Sequence, residues 1–472
     1  MSRISRIRSA SIVLAAAAAT ACTVGRDYEP TKFDAPQQWQ QNADSTLTAD
    51  ATVNGPWWQT FGDTQLDELV GRALAQNLDL RAAFARLQSA RALRGVAEAD
   101  ALPSLDARGG YEHRRESRNT PFGAFIPQTD IHTIAVDASW ELDLWGRVRR
   151  SVEAASGELD ASAADAEAAA ITVAAEVVSA YVDLRAAQQR LKIARSNLAL
   201  QGQTQSLVEA RVGAGLSVER DAAQARTNVE STRARVPSLE ASASAAENRL
   251  CVLLGCAPGA LPVQLAGDAP IPTAPLRIAV GVPADLLRRR PDVRAAERRF
   301  AAAIARIGAV DAERYPRLSL GGTLGLSANS ASEVFDADSD LNSFGPSLRW
   351  NLFDGGRLRQ RIAALEADAE SMQVAWEQTV LLALEETENA MTRFVREQSR
   401  RESLQRAAKE ARRAVELAET QYRAGLSDFQ AVIDSERTVA ALEDDLAVSE
   451  ATIASGVVAI HKALGGGLSA QR

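Results

Sequence analysis

The sequence lacks what most chemistry needs. Its 472 residues hold three histidines, three methionines and three cysteines, too few and too scattered for a metal site, so no metal is expected. No grouping of nucleophile, base and acid stands out, so no catalysis is expected. Basic excess is missing too: the formal charge is −8, and removing residues 1–21, with Arg3, Arg6, Arg8 and no acid, leaves −11. That balance disfavours nucleic acid as a partner. After residue 21 there is no run of 18 apolar residues, hence no membrane-spanning helix. Any crossing of a bilayer must be made by closed strands.

Proline is absent from 143–212 and from 356–422. Rich in Ala, Glu, Arg and Leu, each stretch predicts one helix about 100 Å long at ~1.5 Å per residue. The first is broken by Gly213-Ala214-Gly215-Leu216-Ser217 and the second by Arg423-Ala424-Gly425-Leu426-Ser427. Shorter returning helices follow over 218–254 and 428–464, and the helices at 78–101 and 291–314 supply the missing reach by stacking on them end to end. Heptad-like spacing of Val415, Ala418 and Tyr422 predicts coiled-coil packing. Pro237 should kink the first returning helix, whereas its counterpart is Ala447.

The two breaks lie 210 residues apart, and the same offset pairs Trp140 with Trp350, Arg147 with Arg357 and Gly255 with Gly465. Upstream the offset is 213, pairing Asp79 with Asp292 and Pro103 with Pro316. The chain therefore reads as a duplicated half-domain. The first repeat covers 66–255, with a β-hairpin at 103–143 and a helical-hairpin tip at 213–217; the second covers 288–465, with a hairpin at 316–353 and a tip at 423–427. Residues 22–65, the Pro- and Gly-rich linker 256–287 and the tail 466–472 fit neither column and read as a belt around its middle.

Four segments alternate apolar and polar residues. Ile134, Val136, Ala138, Trp140 and Leu142 alternate with Ala135, Asp137, Ser139 and Glu141; Leu318 to Leu326 alternate with Ser319, Gly321, Thr323 and Gly325; Phe344, Leu348, Trp350 and Leu352 alternate with Ser343, Ser347, Arg349 and Asn351. A weaker one runs from Pro103 to Arg115. Each has roughly the 9–11 residues of a tilted membrane strand. Small closed barrels need about eight strands, so four must be completed by other copies. A dimer would give eight and a trimer twelve; inner faces of Gly and Ser favour the wider one. The bland alternative is a pair of soluble hairpins on a coiled-coil spacer without a pore.

Residues 1–21 read as a secretory signal: three arginines, an apolar core at 12–19, then small residues up to Cys22. Ala19-Thr20-Ala21-Cys22 resembles a bacterial lipobox, which implies a covalent lipid on Cys22; no other cofactor is expected. Thr23 after it looks like sorting to the outer membrane. Cys251 and Cys256 either bridge, if the helix has unwound there, or fill apolar space.

Taken together, Cys22, the strands, the two Gly-Leu-Ser tips, Asp143-Leu144-Trp145-Gly146-Arg147 and the stretch from Gly281 to Arg294 with its Arg290-Pro291-Asp292 resemble the TolC-like outer-membrane efflux ducts, in the NodT-type lipoprotein branch. The resemblance implies an α+β membrane protein and a homotrimer. Its twelve strands cross the outer membrane lipid, and its long helical hairpins form a periplasmic barrel serving an adaptor protein and an inner-membrane resistance-nodulation-division pump. Outlets for secreted peptides or metal ions share this fold. The resemblance also implies that the tips, Gly215, Leu216, Ser217, Gly425, Leu426 and Ser427, meet the adaptor. Chemically, Gly permits the reversal, Leu offers an exposed apolar knob and Ser can cap the returning helix. Asp434 matches the family's gate carboxylate, with Gln430 one turn earlier in place of an apolar constriction; an ion pair of Asp434 with Arg437 is the plain alternative. Asp428 and Glu436 add to the acidity of this second tip.

Overall fold

The protein is described by a computed structural model over residues 23–30, 32–40, 46–48, 55–117, 119–121, 125, 127–261, 265, 267, 269–275, 277–284 and 289–466. The signal, Cys22 and the tail after 466 lie outside the described residues. The order is β1 (Leu47–Thr48), α1 (Thr64–Gln76), α2 (Leu78–Ala99), β2 (Ser104–Arg114), β3 (Thr129–Leu142), α3 (Arg147–Gly213), α4 (Glu219–Arg233), α5 (Arg235–Leu253), β4 (Ile278–Ala279), α6 (Pro291–Asp311), β5 (Arg317–Ala328), β6 (Asp340–Arg349), α7 (Arg357–Arg423) and α8 (Phe429–Ala463).

α3 and α7 are each 67 residues long and begin 210 positions apart. Carboxylates start both: Asp143 accepts from the backbone N–H of Val148 and Arg149, and Asp354 from those of Gly356 and Leu358. The returning helices differ as Pro237 predicts. α4 and α5 are separated at Ala234, because a proline at 237 offers no N–H to the carbonyl of Arg233, while α8 runs unbroken for 35 residues through Ala447.

Within one of two compact units (up to Lys32, Arg86–Ser162 and Ala295–Trp376), the strands form one antiparallel sheet in the order β2-β3-β5-β6. Register places Leu105, Ala138, Gly322 and Phe344 side by side, and likewise Trp140, Leu320 and Pro346, so one face is mainly apolar, with His132, Asp340 and Asn342 among its polar members towards the far end. The next row, Asp106, Asp137, Thr323 and Ser343, is polar. There Arg108 pairs with Asp137 at 2.7 Å, and the Thr323 hydroxyl donates to Asp137 at 2.6 Å. The apolar face is open: Leu105 is 72% exposed and Phe344 85%. β2 and β6 are edges with no further strand beside them among the described residues.

One expectation about the strands needs correction. β6 ends at Arg349, so Trp350 and Leu352 lie beyond it; the Trp350 indole instead donates to the Arg314 carbonyl at 3.0 Å, as Trp140 does to Ala101 at 2.9 Å. The expected single belt over 22–65 is also divided. Val24 donates to the Trp145 carbonyl, Arg150 reaches the Val24 and Gly25 carbonyls and Asp27, and Tyr28 packs edge-on against Phe300, so residues 23–30 join the first unit.

The second unit comprises Phe33–Ala85, Ala163–Arg294 and Glu377 onward. Here β1 pairs in parallel with β4, and the Trp39 indole donates to the Gly281 carbonyl at 3.1 Å. The end-to-end stacking is realised: Asn77, before α2, donates to the Leu253 carbonyl at 2.9 Å, and Arg290, before α6, to the Ala463 carbonyl at 2.9 Å. Trp57 stacks on the buried His461 at 5.1 Å, and that burial pulls the imidazole down to about 4. Cys251 and Cys256 are free thiols, so the disulfide alternative is not realised; Gly255 at φ +70° closes the helix, and the Cys256 N–H caps the Cys251 carbonyl.

Candidate functional site at the helical-hairpin tips

Both tips, which belong to the second unit, end their long helix in the same way. After α3, Gly215 (φ +72°) donates to the Val212 carbonyl and Leu216 to the Arg211 carbonyl. After α7, Gly425 (φ +75°) donates to Tyr422 and Leu426 to Gln421. This is a Schellman closure, in which only glycine accepts the left-handed residue without strain. Such closures usually bury the residue after the glycine against one three or four positions before the helix end. Arg211 and Gln421 stand at the first of those places, and Leu216 and Leu426 remain 69% and 80% exposed.

The serines do not cap. Ser217 stands one residue too early: the N-cap of α4 is Val218, without a side-chain cap, and the Ser217 hydroxyl donates to Asp221 at 2.8 Å. At the second tip Asp428 is the N-cap, accepting from the Ala431 N–H at 3.1 Å, while the Ser427 hydroxyl donates to the Asp428 carbonyl.

The two hairpins share a core of Val208, Ala222, Ala225, Ala418, Tyr422, Phe429, Val432 and Ile433. Arg211 lies over the Tyr422 ring at 4.6 Å and donates to its carbonyl at 3.1 Å. On the exposed side a chain of amides leads to the expected gate residue: Gln224 donates to Gln430 at 3.3 Å, and Gln430 to Asp434 at 2.8 Å. The Asp434–Arg437 pair does not form. Arg437 turns to the Asn228 side-chain oxygen at 3.2 Å, and Asp434 has no ion pair among the described residues.

Sequence reasoning grouped Glu436 with the exposed acids, and the structure buries it at 5% exposure. Its oxygens accept from Thr204 at 2.7 Å and from the Asn228 amide at 2.9 Å, tying α8 to α3 and α4. Burial raises this carboxyl above its ordinary range, the two hydrogen bonds oppose the rise, and the negative charge of Glu419 adds to it. A signal was present. Phe429, Val432, Ile433, Glu436 and Val439 fall at helical spacing on one stripe, and the acid sits among apolar neighbours.

The sequence pattern of the family described as outer membrane efflux protein matches residues 69–256 and again 282–466. Nodulation protein T of Rhizobium leguminosarum bv. viciae is 31% identical over 454 residues, covering 96% of this chain and 92% of its own. The pyoverdine export outer membrane protein OpmQ of Pseudomonas putida is 32% identical over 92% of each. Among solved structures, the outer-membrane channel OprN superposes with a TM-score of 0.89 at 38% identity, covering 94% of this chain and 99% of that one. With the same pattern matched in both halves and relatives aligned almost end to end, the chain belongs to the outer membrane efflux protein family.

Proposed function

We propose that three copies join edge to edge into a twelve-stranded barrel across the outer membrane. Twelve helical columns continue it and carry small molecules from an inner-membrane resistance-nodulation-division pump and a periplasmic adaptor to the exterior. The observation that carries this reading is the four-stranded sheet, mainly apolar on one face, mainly polar on the other and, among the described residues, unpaired at both edges. Bare edges call for further strands, and in lipid only a closed barrel satisfies every backbone group. Equal helices and a family pattern met twice support a duplicated half-domain as its unit. Cys22 carries the lipid that holds each copy to the membrane.

The exposed Leu216 and Leu426, each presented by a rigid glycine closure, are the contacts for the adaptor. Three Asp434 side chains around the axis make a negative ring at the closed mouth; Gln430 braces it and Arg437, drawn to Asn228, leaves it unneutralised. Mass measurement and planar-bilayer conductance of detergent-solubilised protein test the whole reading: steady low conductance from a species of three chains is expected, and a silent single chain would overturn it. Leu426→Asp should abolish export from cells while trimers still insert; normal export would remove the docking role. Asp434→Ala should raise single-channel conductance and blunt its block by divalent cations, and unchanged values would remove the gate.

A further inference from the structure

At the base of the sheet, in the first unit, a cavity of about 350 Å³ opens between the ends of β5 and β6 and the start of α7. Four guanidinium groups line it: Arg317, Arg349, Arg357 and Arg361. Arg317 and Arg349 are direct cross-strand partners on the polar face, an arrangement in which like charges repel. Arg357 and Arg361 stand in the first two turns of α7, where the helix dipole disfavours cations.

The carboxylates do not balance them. Glu313 is shared between Arg317 at 3.7 Å and Arg361 at 3.4 Å. Asp354 spends its hydrogen bonds on the backbone: the Leu358 N–H foremost, with that of Gly356 and the nearby positive charge of Arg357, holds it below the usual carboxylate range. Arg349 and Arg357 have no side-chain hydrogen bond or ion pair among the described residues. The Tyr315 hydroxyl and the Asn351 amide, also in the wall, add further donors. Such a site has donors and positive charge in excess, in the forked geometry that suits phosphate and carboxylate oxygens.

We infer that this arginine cluster binds an anion bearing phosphate or carboxylate oxygens, either an anionic solute in the duct or a lipid headgroup. Its position inside the duct rests on the proposed barrel, since it is the sheet's polar face that carries Arg317 and Arg349. The duct then presents carboxylates at its mouth and guanidiniums beneath its barrel.

Titration calorimetry of the full-length detergent-solubilised protein with inorganic pyrophosphate tests the site. The two arginines without a side-chain hydrogen bond or ion pair among the described residues are removed together in R349Q/R357Q, and R406Q/R413Q serves as a control of equal charge. Binding that weakens with salt, falls at least tenfold in R349Q/R357Q and persists in the control is expected. No binding by wild type, or equal binding by R349Q/R357Q, overturns the inference. So does loss of trimer mass in R349Q/R357Q when wild type binds nothing, because the arginines would then pair with a neighbouring copy. Release of co-purified phospholipid by pyrophosphate, read by mass spectrometry, assigns the site to a headgroup; binding without release assigns it to a solute. Pyrophosphate binding by a protein that forms no pore would overturn the barrel and keep the site.

Discussion

At the first tip the returning helix starts at Val218 with no side-chain cap and breaks at Ala234; at the second it starts at a capping Asp428 and runs unbroken to Ala463. On the outside of the first, Arg226 pairs with Glu219 at 2.5 Å and with Glu209 at 3.4 Å, and Arg220 with Asp221 at 3.5 Å, so each of these acids has a basic partner. The second holds Asp434 without an ion pair and hides Glu436 in the shared core. The glycine closures are alike to within a few degrees of φ. The comparison teaches that the turn itself needs only a glycine and a helix end, and that the tips diverge in the side chains around it. In the first these acids are paired and the helix is interrupted; the second is continuous and carries the unpaired charge.

The continuity is the easiest difference to break. Ala447→Pro places a proline inside buried, unbroken α8, and is expected to cost about 3 kcal/mol or more, read as a fall in the thermal unfolding midpoint. If it costs no more than Pro237→Ala at the equivalent place, the two returning helices are interchangeable and the contrast fails.

A smaller effect sharpens the charge difference. Glu436 has a folded value raised above the ordinary 4.5, so the folded state holds its proton more tightly than the unfolded one. Its contribution to stability is fully present below 4.5 and is lost as pH rises through the raised value. Glu436→Gln, whose amide can still donate to the Thr204 hydroxyl and accept from Asn228, is expected to unfold at a higher temperature than wild type at pH 7.5. The gap should close as the pH is lowered, and parallel curves from pH 4 to 8 would show that the carboxyl does not titrate in the fold.

The caps give the smallest change. Asp428→Ala should lose about 1 kcal/mol, and Val218→Asp should gain a comparable amount by supplying the cap its helix lacks. Amide hydrogen exchange in the first turns of α8 and α4 reports each separately, and no change at either would place the stability of the tips wholly in the shared core.

Much of this was legible in the sequence. Proline-free Ala-rich runs marked the long helices, Gly215 and Gly425 their ends, Pro237 the interruption, and period-two alternation the strands. What escaped depended on neighbours distant along the chain. Whether Asp434 would pair with Arg437 was undecidable while Asn228, 209 positions away from Arg437, was not known to stand beside it. The serines were read as caps because a shift of one residue in the helix start is invisible to pattern. β6 stops at Arg349 although alternation continues, because its partner β5 begins only at Arg317 and the residue before it, Pro316, has no N–H to extend the ladder.

The sequence by itself determined the elements and their order, since helix periodicity, strand alternation and left-handed glycines act over a few residues and need no partner. Only the tertiary structure decided which charges meet. Thr204 reaches Glu436 across 232 positions, Arg190 reaches Asp444 across 254, and Arg317 is set opposite Arg349 by strand register. The ionisation and pairing of a side chain depend on its burial and on the groups within a few ångströms of it, and folding alone fixes both.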